Sequence, residues 1–195
     1  HQDDQAETVL LRLLRGTGLS GLRAMSPLER GLAGILIVRP FLMVSRQEIE
    51  AFLALRGQDY RVDSSNLGTE YSRNYVRLSV MPLLRQINPQ VAVALYRLSS
   101  QVAQDVDYMS IQALPICAAA ISALDVGVGV RLEALMGVHA ALVMRVLTEA
   151  YFRVATVRKD LETIHLAETF ALLDKQVGRR ITLPAGVRVL RTREH

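Results

Sequence analysis

Apolar residues recur at helical spacing along most of this chain. Ala6, Val9, Leu10, Leu13 and Leu14 share one face behind Asp4 and Glu7, and an acidic residue followed three positions later by glutamate is the pattern of a capped helix start. The spacing predicts a helix over residues 5–15, stopped by a loop containing Gly16, Gly18 and Gly21. Ser45 and Glu48 repeat the capping pattern ahead of Ile49, Phe52, Leu53 and Leu55, with Gly57 as the stop. Residues 35–38, just before Arg39-Pro40, are wholly apolar and partly β-branched. Such a run predicts a strand buried on both faces of a parallel sheet, part of a larger sheet.

Farther on, residues 60–62 read as extended, and Asp63-Ser64-Ser65-Asn66 has side chains that fold back on the backbone in turns. A helix is expected from about residue 70, kinked or restarted at Pro82, because proline removes a donor and clashes with the preceding turn. Asn88-Pro89 reads as a helix cap and first turn, followed by a stripe of Val91, Leu95, Leu98, Val102, Val106 and Met109. After Leu114-Pro115 the chain becomes Ala-rich, and residues 126–130, with Gly127 and Gly129 interleaved, fit helix and strand equally poorly. Leu132, Leu135, Met136, Leu142, Val143, Val146, Leu147 and Tyr151 support another helix, and Leu161, Ile164, His165, Ala167, Phe170, Leu172 and Leu173 a third. Residues 180–183 and 187–190, flanking Pro184-Ala185-Gly186, read as a β-hairpin.

Composition narrows the classes. The chain is half hydrophobic, so its 195 residues can bury one substantial core or two small ones. Lys159 and Lys175 are its two lysines, and the rest of the 23 basic residues are arginine. Arginine's planar fork binds phosphate oxygens in pairs, which makes an acidic partner such as nucleic acid plausible, although a net charge of +4 does not decide it. Cys117 is the single cysteine, which excludes an intramolecular disulfide and a thiolate cluster and points to a reducing compartment. Charged residues interrupt every apolar run before the length of a membrane span. The simplest reading is a cytoplasmic protein. The chain starts at His1 rather than Met, directly at a helix cap, so the native sequence is expected to begin upstream.

The residues that can carry chemistry have bland readings too. Asp4 and Glu7, one turn apart, are either magnesium-holding carboxylates or a plain capping box, and spacing alone favours the cap. Arg73 and Arg77, at i and i+4 with Asn74 between them, can grip successive phosphates while the amide meets a base or sugar edge, or can form a solvated basic face. Asp63 and Asn66 are most simply turn formers. Arg12 and Arg15 flank the Gly-rich loop, and Arg15 suits a helix C-terminus on dipole grounds alone. His139 and His165 lie in apolar helices without partners at metal spacing and read as partly buried packing residues. Arg145, Arg153, Arg158, Arg179 and Arg180 either line a nucleic-acid-facing surface or are scattered surface charges.

Two blocks, HQDDQAETVLLRLLRGTG and VDSSNLGTEYSRNYVRLSVMPLL, with RPFLMVSRQEIEAFL between them, resemble the tRNA(Ile)-lysidine synthetases. That family carries H-x-D-D-Q-x-E-T followed by D-x-S-N, R-N-x-x-R and P-L-L. The first block is shared more loosely with other ATP pyrophosphatases, whereas the second is closer to diagnostic. The tail, LETIHLAETFALL and VGRRITLPAGVRVLR, is similar to the end of the family's helical substrate-binding domain. Many members have His after the second arginine, where this chain has Leu78, which leaves a polar role there in doubt.

The resemblance implies a predominantly helical α/β chain. Residues 1–88 would be the C-terminal half of a Rossmann-like ATP pyrophosphatase domain, residues 89–114 a connecting helix, and residues 115–195 a helical tRNA-binding domain ending in a β-hairpin. It implies a ligase that uses ATP and Mg2+ to adenylate O2 of the wobble cytidine of a CAU-anticodon tRNA(Ile), after which the amine of free L-lysine displaces AMP. Asp4, Glu7, Arg73 and Arg77 would be catalytic, with Asp4 and Glu7 holding Mg2+. His1, Asp4, Arg15 and Asn74 would contact the nucleotide, and Asp63, Asn66, Arg73 and Arg77 the substrates. The family's phosphate-cradling SGGxDS string does not occur in these residues, so the chain is expected to be an N-terminally truncated fragment, inactive alone and poorly soluble. A homodimer stays open. The other readings are a tRNA thiolase of the same superfamily, whose usual cysteine pairs are missing here, and a non-catalytic RNA-binding or interaction module.

Overall fold

The computed structural model describes residues 1–31, 34–61, 72–155 and 161–194. Two compact units make up the chain, residues 1–106 and residues 107–195.

In the first unit, helix α1 (Gln2–Leu14) starts one turn earlier than Asp4 and Glu7 predict. His1 is its N-cap: His1 Nδ1 accepts from the Asp4 amide at 3.3 Å, and the Asp4 carboxylate accepts from the His1 backbone nitrogen at 3.1 Å. The capping box is therefore His1 with Asp4, and Glu7 falls a full turn inside the helix. A one-turn helix α2 (Leu19–Leu22) follows the glycine loop. Strands β1 (Leu28–Arg30) and β2 (Leu36–Val38) then pair antiparallel, with Leu28 opposite Val38.

That hairpin corrects the expectation of a doubly buried parallel strand. Leu36 and Val38 are more than half exposed, and among the described residues β2 pairs with β1 alone and every strand pair is a two-stranded antiparallel ladder. An apolar, β-branched run records a preference for extended backbone, and what covers it is a tertiary matter.

Helix α3 (Arg46–Leu55) has the predicted Ser45/Glu48 capping box and stops at Gly57, whose φ of +60° a side chain would resist. The Ser45 hydroxyl bonds the Glu48 carboxylate and holds its pKa below the usual value. Helix α4 (Ser72–Tyr75) passes into a turn of π-helix (Val76–Val80) and then α5 (Met81–Ile87). The wide turn is the response to Pro82: its ring would strike the carbonyl four residues back in a regular helix, and the Met81 amide bonds the Val76 carbonyl, five residues back. Asn88 ends α5, and its side chain accepts from the Gln90 amide at 2.9 Å.

Helix α6 (Val91–Ala120) keeps Pro115 within it, and the division between the units falls inside it. The first unit's core joins Ala6 of α1, Val76 and Met81, with Leu10, Leu84, Val91 and Leu95 packed around them.

In the second unit, β3 (Ile121–Ala123) and β4 (Val128–Val130) form a hairpin, which makes residues 128–130 strand and leaves Val126 and Gly127 in the turn. Helix α7 (Ala140–Val154) supplies Val143, Val146, Leu147 and Ala150 to a core shared with Cys117, Ala120, Ile121 and Leu135. The helix predicted from Leu132 is broken at Gly137, with a 3-10 turn (Glu133–Leu135) before the break. Helix α8 (Thr163–Ala171) packs on α7. Strands β5 (Arg180–Thr182) and β6 (Arg188–Leu190) form the predicted terminal hairpin, turning at Ala185 and Gly186, both with positive φ.

Candidate functional site

Helix α1 points its first turn at the π-helical turn, and four side chains meet there. Glu7 is 2% exposed. Arg77 grips it through both oxygens, Nε to Oε1 at 2.7 Å and Nη2 to Oε2 at 2.9 Å, and Arg73 Nε adds a third bond to Oε2 at 3.1 Å. Asp4 Oδ1 receives Nη2 of both arginines, at 3.1 Å from Arg73 and 2.9 Å from Arg77. Residues singled out some seventy positions apart in the sequence thus form one ion-paired cluster. The bond to Glu7, reinforced by its charge, raises the Arg77 pKa above its ordinary value despite partial burial.

The carboxylates are occupied by the arginines. Both Glu7 oxygens accept from guanidinium, Asp4 Oδ1 accepts from two, and Asp4 Oδ2 takes the His1 backbone nitrogen. A divalent cation placed among them would face positive charge, so Asp4 and Glu7 do not fit Mg2+. Among the described residues no group of three His, Cys, Asp or Glu is arranged to hold a metal ion.

Above the cluster opens a cleft of about 500 Å³, lined by His1, Asp4, Met25, Arg39, Pro40, Phe41, Leu42, Arg73, Asn74 and Arg77. Among its described lining residues Arg39, Arg73 and Arg77 bring guanidinium donors, with Arg39 paired to Glu29 and the other two to Asp4 and Glu7. Asn74 is buried in the wall between the two arginines in sequence. Arg15 is not in the lining; at about 1.5 Å per residue, the helix rise leaves it about 16 Å from Asp4. Asp63 and Asn66 lie outside the described residues, as does Arg158.

Several contributors went unassigned in the sequence. Gln5 is buried and clamps the loop after α2: its Nε2 donates to the Met25 carbonyl at 3.0 Å and its Oε1 accepts from the Met25 amide at 3.0 Å. The same Nε2 reaches Ser99 Oγ of α6. The available signal was a polar side chain one turn before Val9, on a face that otherwise goes to the core. Arg12 holds the same loop through the Gly21 and Ala24 carbonyls, and burial, then Arg23, lowers its pKa. The clamp fixes Ala24 at φ +54° and delivers Met25 to the cleft. Asp3 accepts from Arg85 at 2.6 Å and from the Arg46 amide at 3.1 Å, tying α1 to α5 and α3. Nothing in the sequence marked Arg85 as its partner.

In the second unit both histidines cap helix starts, and of the two only His165 is partly buried, as expected. Exposed His139 caps α7 by accepting from the Ala141 amide, and His165 accepts from the Glu162 amide at the start of α8. Arg153 pairs with Glu149 of its own helix, and Arg179 and Arg180 are exposed. Cys117 is buried and its thiol pKa is raised by that burial, the reverse of an activated sulfur nucleophile. Among the described residues no helix is long and apolar enough to cross a membrane.

Residues 1–84, which hold the arginine-lined cleft, match the family model described as a PP-loop domain. Sequence relatives extend the likeness past that domain. The chain is 31% identical over 186 residues to the tRNA(Ile)-lysidine synthase of Clostridium perfringens, covering 95% of this chain and 39% of that protein. It is 30% identical over 192 residues to that of Caldanaerobacter subterraneus subsp. tengcongensis, covering 98% of this chain and 40% of that protein. Over 89 residues it is 52% identical to that of Parabacteroides distasonis, covering 46% of this chain and 19% of that protein. Along nearly all of its length the chain is thus similar to tRNA(Ile)-lysidine synthases, with a PP-loop domain at residues 1–84. It spans about two fifths of the length of the relatives that it matches along nearly all of its own length.

Proposed function

We propose that these residues serve an ATP-dependent ligase that joins L-lysine to C2 of the wobble cytidine in a CAU-anticodon tRNA(Ile). The observation that carries this reading is the convergence of Asp4 and Glu7 with Arg73 and Arg77 beneath one cleft, in a chain related to proteins of that name.

The chemistry proceeds in two displacements. Cytidine O2 attacks the α-phosphorus of ATP and pyrophosphate departs; the lysine amine then attacks C2 and AMP departs. Each passes through a phosphorus or carbon centre whose leaving group gains negative charge, and prearranged guanidiniums stabilise such charge without reorganising. Arg73 and Arg77 have that role, Asp4 and Glu7 hold their forks in position, and Asn74 and His1 meet the base or sugar of the nucleotide. Asp63 and Asn66 are assigned to the substrates by their place in the motif. Mg2+ accompanies ATP and neutralises its phosphates, and no ligand for it is assigned to Asp4 or Glu7. We assign adenylation to residues 1–88 and tRNA contact to residues 115–195, linked by residues 89–114, and place the reaction in the cytoplasm.

The test uses the intact gene product carrying these residues, with ATP, radiolabelled lysine and CAU-anticodon tRNA(Ile). Label should enter the tRNA, and Arg73→Ala should cut its rate by about a hundredfold, the usual loss on removing a donor aimed at developing charge. Undiminished incorporation by that variant would overturn the assignment of the arginine cluster.

A further inference from the structure

The cleft lining includes one feature that neither arginine chemistry nor the core explains. Phe41 is 60% exposed at the cleft, whereas its neighbour Leu42 is 4% exposed and anchors the same turn. The turn is tied down on both sides. The Arg39 amide bonds the Pro27 carbonyl at 2.8 Å, the Val44 amide bonds the Phe41 carbonyl at 3.0 Å, and the Gln2 amide bonds the Val44 carbonyl at 2.9 Å. Arg39 is itself fixed, with Nη1 on Glu29 at 2.8 Å and on the Ser26 carbonyl at 3.1 Å.

We propose that Phe41, carried on the Pro40 turn, is a stacking platform for a nucleobase entering the cleft. This rests on the ligase reading above and adds to it the residue that receives a base. The cleft offers guanidiniums for phosphate and an amide for a polar edge, and a flat apolar ring is the remaining element of nucleotide recognition. A ring held by a braced turn loses little freedom when a base settles on it, so most of the stacking energy is available for binding. Lysine, without a π face, gains nothing comparable from it. The same chemistry serves the adenine of ATP and an unstacked base of the tRNA.

Phe41→Ala, Phe41→Leu and Phe41→Trp in the intact gene product separate the cases, with ATP alone and a CAU-containing anticodon stem-loop RNA alone as probes in equilibrium binding. Stacking predicts that Ala weakens one probe by about five- to a hundredfold, that Leu, apolar but without a π face, is nearly as weak, and that Trp binds as well as wild type. Weakening of ATP alone identifies adenine as the base, and weakening of the RNA alone identifies a tRNA base. Unchanged binding of both probes by the Ala variant overturns the proposal, as does a Leu variant equal to wild type, which would reduce the role to apolar area. A wild-type protein that ligates lysine while all three variants bind normally sinks this inference only. Variants that show the stacking pattern in a wild-type protein unable to ligate lysine sink the ligase reading and leave the platform standing.

Discussion

Glu7 explains most about the cluster at the scale of single residues. A carboxylate with 2% exposure is tolerable only when its charge is answered, and the bidentate fork of Arg77 answers it. Arg77→Ala should therefore destabilise the first unit by about 3 kcal/mol, the low end for breaking a buried pair because Arg73 still donates to Glu7. Arg77→Lys keeps the charge but not the fork and should fall between that variant and wild type in a denaturant melt. A melt of Arg77→Ala indistinguishable from wild type would mean that the cluster is open to water and contributes no stability. The raised Arg77 pKa means that alkaline conditions do not release the contact through the arginine: its contribution is present below the unfolded-state value and is lost only as pH rises through the still higher folded one.

Secondary-structure elements place those side chains. The π-helical turn keeps Arg73 of α4 and Arg77 on the same carboxylates while the chain accommodates Pro82. Pro82→Ala removes the steric reason for the wide turn. We expect it to swing Arg77 and lower lysine incorporation by about tenfold or more without lowering the melting midpoint, since small misplacements of reacting groups are costly to rate and proline is a poor helix former. Wild-type incorporation by that variant would show that the wide turn does not aim Arg77. At α3 the capping box is the more ordinary device: Ser45→Ala should cost about 1 kcal/mol, read as a lower thermal midpoint. The depressed Glu48 pKa gives the cap a pH dependence of definite sign. Its contribution is full above the ordinary glutamate range and is lost as the pH falls through the lower, folded value, so wild type and Glu48→Gln should converge in stability in acid.

Across the whole molecule, apolar exposure is the dominant physical fact. Ile35, Leu36 and Val38 on and beside the first hairpin, and Phe52 and Leu55 on α3, are all more than half exposed. Such surface favours association. The 195-residue chain on its own should show a mass that rises with concentration in sedimentation; a monomer across a wide concentration range would contradict this. The second unit has a core of its own around Val146, so Leu147→Ala should cost about 2–4 kcal/mol in the transition that melts it.

The sequence by itself determined the local structure and the identities of the chemical groups. The α1 face, the α3 cap, the terminal hairpin and the R-N-x-x-R ridge are legible because capping, periodicity and turn chemistry act over a few residues. Tertiary structure decided what each group meets. It moved the first capping box from Asp4 and Glu7 to His1 and Asp4, gave both carboxylates to the arginines, left residues 35–38 in an exposed antiparallel pair, and set Gln5 against Met25 and Phe41 at a cleft. The Gln5 and arginine contacts depend on partners some twenty to seventy positions away, and the hairpin on a strand six to ten positions back. A charge or an apolar face carries no record in the local pattern of which distant surface will satisfy it, because burial and ion pairing are properties of the packed whole.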